Sequence, residues 1–201
     1  MTIIVGDGPD AMPFSFHQDR LFSCSSSFAS AYKEHSNANG ATAMMLQDVE
    51  VPVFGLLFFW LYSESIPQRK VGEKEEHTLS QTPAQLAKLW VLAARFGIPK
   101  LQNTVIDAIF TAIEDIFHDV ESLQLTRENP GELMKCFVDF AYSTDLPILR
   151  NLAVDRLAWA CPRDFFYDMV GDLPKEAIVD SAKALKSAHE MCAAEFYFAE
   201  D

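Results

Sequence analysis

Residues 54–62 read Phe54-Gly55-Leu56-Leu57-Phe58-Phe59-Trp60-Leu61-Tyr62, nine positions without a charge. The stretch is too short to cross a bilayer, which takes about 20 apolar residues. It is preceded by Asp48 to Pro52, which has the character of a helix start. Acidic groups suit the positive end of a helix dipole, and proline is tolerated in a first turn. Phe54, Leu57, Phe58, Leu61 and Tyr62 then repeat at three and four residues, so the segment predicts a helix with an apolar stripe facing a core.

Outward from this helix the pattern changes on both sides. Thr2 to Val5 is a β-branched run ending in Gly-Asp-Gly-Pro, which predicts a strand and a β-turn. Met12 to Phe16 places Phe14 and Phe16 on one face and predicts a second strand, paired with the first as a hairpin. Leu21, Phe28 and Tyr32 predict two short helices broken near Ser23–Ser25, and the serines there suit capping. Residues 36–40 are expected to form a polar loop, and Ala43 to Leu46 a third strand. Downstream, residues 63–81 are expected to be an exposed, charged loop.

Thr82-Pro83 opens a helix carrying Leu86, Leu89, Trp90, Ala93 and Phe96, and Gly97 is placed to end it. Pro99 begins another, with Leu101, Val105, Ile109, Ile113, Ile116 and Val120 on one face. Residues 127–131 are the best boundary by composition. Beyond it everything is helical. The expected stripes are Leu133, Cys136, Phe137 and Phe140, then Leu149, Leu152, Ala153 and Leu157, then Ile178, Ala182, Leu185 and Cys192, with Pro147, Pro162 and Pro174 at the starts. The reading is an α+β domain over residues 1–121 and a helical extension over 122–201.

Composition narrows the function. The 201 residues carry 16 Lys and Arg against 29 Asp and Glu, a net charge of −13, with no basic run. Nucleic acids and anionic membrane surfaces need clustered cations, so neither is an expected partner. The four cysteines include no CxxC pair and are expected to be reduced thiols in or near apolar cores. The start of the chain lacks the basic and apolar regions of a signal peptide, so an intracellular location, cytoplasmic or nuclear, is expected. None of the five histidines has metal-ligand spacing, and His17 reads as a structural histidine satisfied by local backbone groups. Gly6-Asp7-Gly8 lacks the third glycine and following helix of a dinucleotide site. The serines lack a nucleophile elbow. Glu114 and Asp115 adjoin on one helix rather than opposing each other across a cleft. No catalytic residue, cofactor or metal is expected, and the chain is read as non-enzymatic.

Several segments taken together resemble the BTB/POZ family. Phe16-His17-Gln18-Asp19-Arg20-Leu21-Phe22 is similar to its F-x-V-H-K-x-L-L segment, and Ser25 to Ala31 to its S-x-x-F-x-x-A helix. Met45-Leu46-Gln47-Asp48-Val49 resembles its V-x-L-x-D strand and turn, and residues 54–62 its F-x-x-L-L-x-W-L-Y helix. Residues 89–103 are similar to its L-Y-V-L-A-D-K-F-x-I-P-x-L-x-N helix pair. Leu149-Arg150-Asn151-Leu152-Ala153-Val154-Asp155 resembles the L-R-x-L-x-V-D of stand-alone fungal members.

The resemblance implies a small sheet flanked by helices and a module for homo- or hetero-association with proteins. Strand-exchanged relatives carry a helix and an Asp before the first strand. This sequence begins directly ahead of that strand, so a homodimer is expected to be weaker or to use another surface. Ile3 and Val5, on an unpaired strand edge, and Asp19, Arg20 and Ser23 are the expected interface residues. Relatives that hold a cullin ubiquitin-ligase scaffold carry an apolar-x-Glu motif before the third strand. Residues 36–40 lack it, and Tyr32-Lys33-Glu34 fits but falls earlier. A substrate adaptor for a cullin is the alternative function, without a recognisable substrate-reading domain up to residue 201.

Overall fold

A computed structural model describes residues 1–39, 43–67, 81–121 and 129–198, with the side chains of 31, 34–39, 121 and 188–198 outside the description. The protein is a mixed α+β chain of two compact units. The first comprises residues 1–81 and 85–109, the second residues 82–84 and 110–201.

The first unit opens with strand β1 (Thr2–Val5) and strand β2 (Met12–Ser15), an antiparallel hairpin in which Ile3 faces Phe14. The turn between them uses Gly6 and Gly8 at φ +90 and +65 and closes as one turn of 3₁₀ helix over Gly8–Asp10, rather than as a plain β-turn. Asp7 caps it by accepting the Gly8 N–H at 2.9 Å. Helix α1 (Gln18–Cys24) and helix α2 (Ser26–Asn39) follow. Residues 36–39, expected as loop, belong to α2. Strand β3 (Ala43–Leu46) then pairs in parallel with β1, giving the order β2-β1-β3.

Helix α3 (Val51–Ser63) packs its Phe54 and Phe58 against Phe14 and Phe16, with ring centroids 4.9–5.9 Å apart. Offset and edge-to-face aromatic pairs of this kind add to the stabilisation from burial alone. The charged stretch expected over 63–81 falls largely on residues 68–80, outside the described residues.

Helix α4 (Pro83–Arg95) ends as the glycine predicted. Gly97 sits at φ +63, its N–H donates to Ala94 C=O at 3.0 Å, and Ile98 N–H donates to Ala93 C=O at 2.9 Å. This is the paired bonding of a Schellman cap. The serines behave as capping groups. Ser25 is buried, accepts the Phe28 N–H at 2.9 Å and donates to the Phe96 carbonyl, fixing the start of α2 beside the end of α4. Phe28 and Phe96 meet edge to face at 4.7 Å.

Helix α5 (Pro99–Glu121) buries Leu101, Val105, Ile109, Ile113 and Ile116, as its periodicity requires. The chain passes from one unit to the other inside this helix, between Ile109 and Phe110.

In the second unit come α6 (Pro130–Ser143), α7 (Pro147–Asp155), a π-helical turn over Arg156–Ala160, α8 (Arg163–Met169) and α9 (Lys175–Phe198). Asn129 caps α6 by accepting the Gly131 N–H at 3.0 Å. Leu149, Leu152, Ala153 and Leu157 are buried as predicted. Two other stripes are rotated. Helix α6 buries Met134, Phe137, Val138 and Ala141, leaving Cys136 exposed, and α9 buries Ala177 and Ser181 rather than Ile178, Ala182 and Leu185. Cys136 therefore corrects the expectation of thiols in or near cores, Cys24 and Cys161 are half-buried, and the side chain of Cys192 lies outside the description.

Candidate protein-interaction surface

Helix α3 is uncharged from end to end, and only half of it faces the core. Val53, Phe54, Leu56, Leu57, Trp60 and Leu61 are buried, whereas Phe59 is 42% exposed and Tyr62 40%. Pro52 is exposed, and Val51, Gly55 and Phe58 are half-buried. A helix that is apolar all round normally has every face covered. Here one face, running through Pro52, Gly55, Phe59 and Tyr62, is left open among the described residues.

Helix α1 adjoins α3. Tyr62 joins them, its hydroxyl accepting the His17 N–H at 3.3 Å. His17 itself is exposed and leads into α1 without a side-chain capping bond, so it is the backbone of this residue, not an imidazole among backbone groups, that is held. Asp19, Arg20 and Ser23 are exposed on α1, with Ser23 Oγ donating to the Arg20 carbonyl at 2.9 Å.

Both ends of α3 carry charged pairs. Glu64, at φ 54, ends the helix by donating its N–H to the Trp60 carbonyl at 2.8 Å, and its carboxylate pairs with Lys100. The Lys100 hydrogen bond and charge hold the Glu64 carboxyl below its ordinary range, and Arg20 adds a weaker pull in the same direction. At the other end Glu50 pairs with Lys88, and Asp48 with Arg95 at 2.6 Å.

The structure separates the expected interface residues. Asp19, Arg20 and Ser23 lie together on the surface. Ile3 and Val5 do not join them: both are fully buried, and β1 is the middle strand, paired on each side. The expectation of a free first-strand edge is corrected by β3, which occupies it. The outer strand β2 presents Pro13 instead. Met1 and Phe16 exchange both backbone bonds at 2.9 Å, so, with bonded and non-bonded pairs alternating, the Ile4–Pro13 pair three steps on is a non-bonded one. The missing proline N–H thus costs no ladder bond and removes a donor from the outer edge, which discourages strand addition there.

Other features flagged in the sequence have structural work. An open groove bordered by Asp7, Asp10, Asp48 and Glu50 lies at the ends of β1 and β3. Three of these carboxylates are committed, to Gly8 N–H, Arg95 and Lys88. Among the described residues no cluster of His, Cys, Asp and Glu is arranged to hold a metal ion, and no helix is long and apolar enough to cross a membrane.

Tyr32 and Lys33 lie within α2, and Glu34 has its side chain outside the described residues. Glu114 pairs at 3.5 Å with Arg156, whose guanidinium sits 4.0 Å over the Phe110 ring and also bonds Asp155. In the segment 149–155, Arg150 donates to the carbonyls of Tyr142 and Thr144 at 3.3 and 2.8 Å, closing the end of α6. That arginine is a cap.

The apolar face of α3 was not singled out from the sequence, although the signal was present: thirteen consecutive helical residues without a charge exceed what one core-facing stripe needs. No family model matches the chain, and no curated protein matches it.

Proposed function

We propose that the chain is a non-enzymatic protein-interaction module of the BTB/POZ kind, joining copies of itself or other intracellular proteins. The observation that carries this reading is the open aromatic face of α3, next to the exposed polar face of α1. An exposed apolar helix face bordered by charged pairs suits a protein partner better than a small polar substrate. The order of strands and helices in the first unit, with the sheet order β2-β1-β3, is compatible with the family resemblance. The two arginines of the second unit described above serve packing and capping, which suits a scaffolding role for that part.

Proximity labelling in cells, paired with sedimentation of the purified chain, tests the proposal. A discrete set of neighbours, or self-association, supports it. Turnover of a small molecule, with no partner recovered, sinks it. Recovery of a cullin as the principal neighbour would replace it with the ligase-adaptor alternative.

A further inference from the structure

The turn between β1 and β2 holds the one Asp–Gly step in the sequence, Asp7-Gly8, with Pro9 next. A capping carboxylate ordinarily accepts from the N–H of the second or third residue of the helical turn it starts. Here the second residue is Pro9, which has no N–H to give. The Asp7 carboxylate turns instead to the nearest donor, the Gly8 N–H, at 2.9 Å. Proline thus holds the carboxyl group beside the one backbone nitrogen that can close a five-membered ring with it.

The surroundings leave room for that ring. Asp7 and Gly8 are both exposed, and a Cβ built on Gly8 would meet nothing within 4 Å. Gly6 lies at φ +90 and Gly8 at +65, so both neighbours of Asp7 are residues with unusual freedom to turn. The main-chain bonds around the turn run from Gly6 N–H to Leu46 C=O and from Ala11 N–H to Gly8 C=O, at 3.0 and 3.4 Å. Neither uses the Gly8 nitrogen.

We infer that Asp7 is a site of spontaneous covalent modification, isomerising to isoaspartate through a succinimide with Gly8. The amide turns its face to the carboxyl, and the Gly8 nitrogen attacks Cγ of the neutral acid. An N–Cγ bond forms, the Cγ–OH bond breaks, and the hydroxyl leaves with the amide proton as water. Water then adds at the main-chain carbonyl of the ring and breaks its bond to nitrogen. Gly8 is left joined through Cγ, and the former α-carboxyl hangs free. The water lost is regained, so the sequence needs no co-reactant and leaves the mass unchanged. The product inserts a methylene into the chain close to Val5, whose register with Met12 closes the hairpin. Its free α-carboxyl is the group that an isoaspartyl methyltransferase esterifies, which gives the class of enzyme that would act on the aged chain.

The test holds the purified full chain in mildly acidic buffer, where more carboxyl groups are neutral and therefore electrophilic. Peptide mapping with electron-transfer fragmentation locates isoaspartate, and enzymatic methyl transfer from S-adenosylmethionine counts it. Mass separates this product from that of Asn39-Gly40, since deamidation changes the mass. Each rate is divided by that of the same chain unfolded in urea, which cancels the intrinsic effect of the glycine. The expected result is isoaspartate at Asp7 forming at least as fast in the folded chain as in the unfolded one. Pro9→Ala returns an N–H to the second helical position, and should lower that ratio several-fold with a melting curve that still shows a folded chain.

A folded wild-type chain that reacts at Asp7 several-fold more slowly than the unfolded chain overturns the inference, as does the absence of isoaspartate there. An undiminished ratio in a folded Pro9→Ala chain overturns it too, because the carboxyl would then owe nothing to the proline. If Pro9→Ala does not fold, the wild-type ratio decides alone.

Discussion

Two tryptophans with similar sequence surroundings end in different places. Trp60 is 2% exposed in the core of the first unit, with its indole N–H lacking a partner among the described residues, whereas Trp90 is only half-buried. Truncating a buried aromatic costs the transfer energy and a cavity, about 3–5 kcal/mol. Trp60→Ala should lose that much in chemical denaturation, and Trp90→Ala clearly less. This corrects the equal status that the stripes gave them, because a residue at the margin of a helical stripe is covered only if the neighbouring element reaches it. Gly97 is the opposite kind of position, fixed by backbone conformation. At φ +63 any Cβ is strained, and here it would also come within 3.2 Å of Ser27 Oγ. Gly97→Ala should destabilise by about 1–2 kcal/mol, and the same denaturation experiment reads it.

At the scale of elements, starts and stops were legible and faces were not always. Proline, Asn129 and Gly97 fix helix ends through local sterics and single hydrogen bonds, which neighbouring residues suffice to specify. The residues 36–39 are an exception, since a polar sequence without a breaker simply extends α2. Helix α6 shows the other limit. Its apolar residues offer two stripes, one through Leu133, Cys136 and Phe140 and one through Met134, Val138 and Ala141, with Phe137 common to both. The packing against α7, α8 and α9 selects the second. Helix α9 turns Ala177 and Ser181 inward, and Ser181 Oγ is satisfied by the Ala177 carbonyl at 2.8 Å, so small residues are buried without an orphaned hydroxyl.

The link between α6 and α9 has a pH signature. Tyr142 donates to Asp180 at 3.2 Å, and burial, with the Asp180 charge second, pushes its phenol up to about 12. A phenol with a raised folded pKa contributes stability present below about 10, its usual value, and lost as pH rises toward 12. Alkaline denaturation of the second unit should therefore steepen between those values, and Tyr142→Phe should flatten that slope. An unchanged slope in the variant would show that Tyr142 is not the group responsible.

At the scale of the molecule, self-association and the response to chelator are what to measure. Chelator should leave the melting temperature unchanged, since the described histidines, cysteines and carboxylates do not converge on a point; a fall of several degrees would reveal a site assembled from elsewhere in the chain. Dilution should dissociate a homodimer in the micromolar range, read by sedimentation at several concentrations. The candidate surface was half legible. Asp19, Arg20 and Ser23 were readable as surface positions because α1 has one apolar residue, Leu21, facing inward. Ile3 and Val5 were misplaced because alternation tells which face of a strand is buried, not whether the strand lies at an edge or in the middle.

The sequence by itself determined the order of elements, the hairpin, the capped helix ends and the acidic net charge of −13, because each follows from neighbours along the chain or from composition. Only the tertiary structure decided the central place of β1, the inward faces of α6 and α9, and the exposure of Phe59 beside the open space at Gly55. Those depend on which elements arrive from distant parts of the chain, and a helix that is apolar all round carries no local record of which of its faces will be left uncovered.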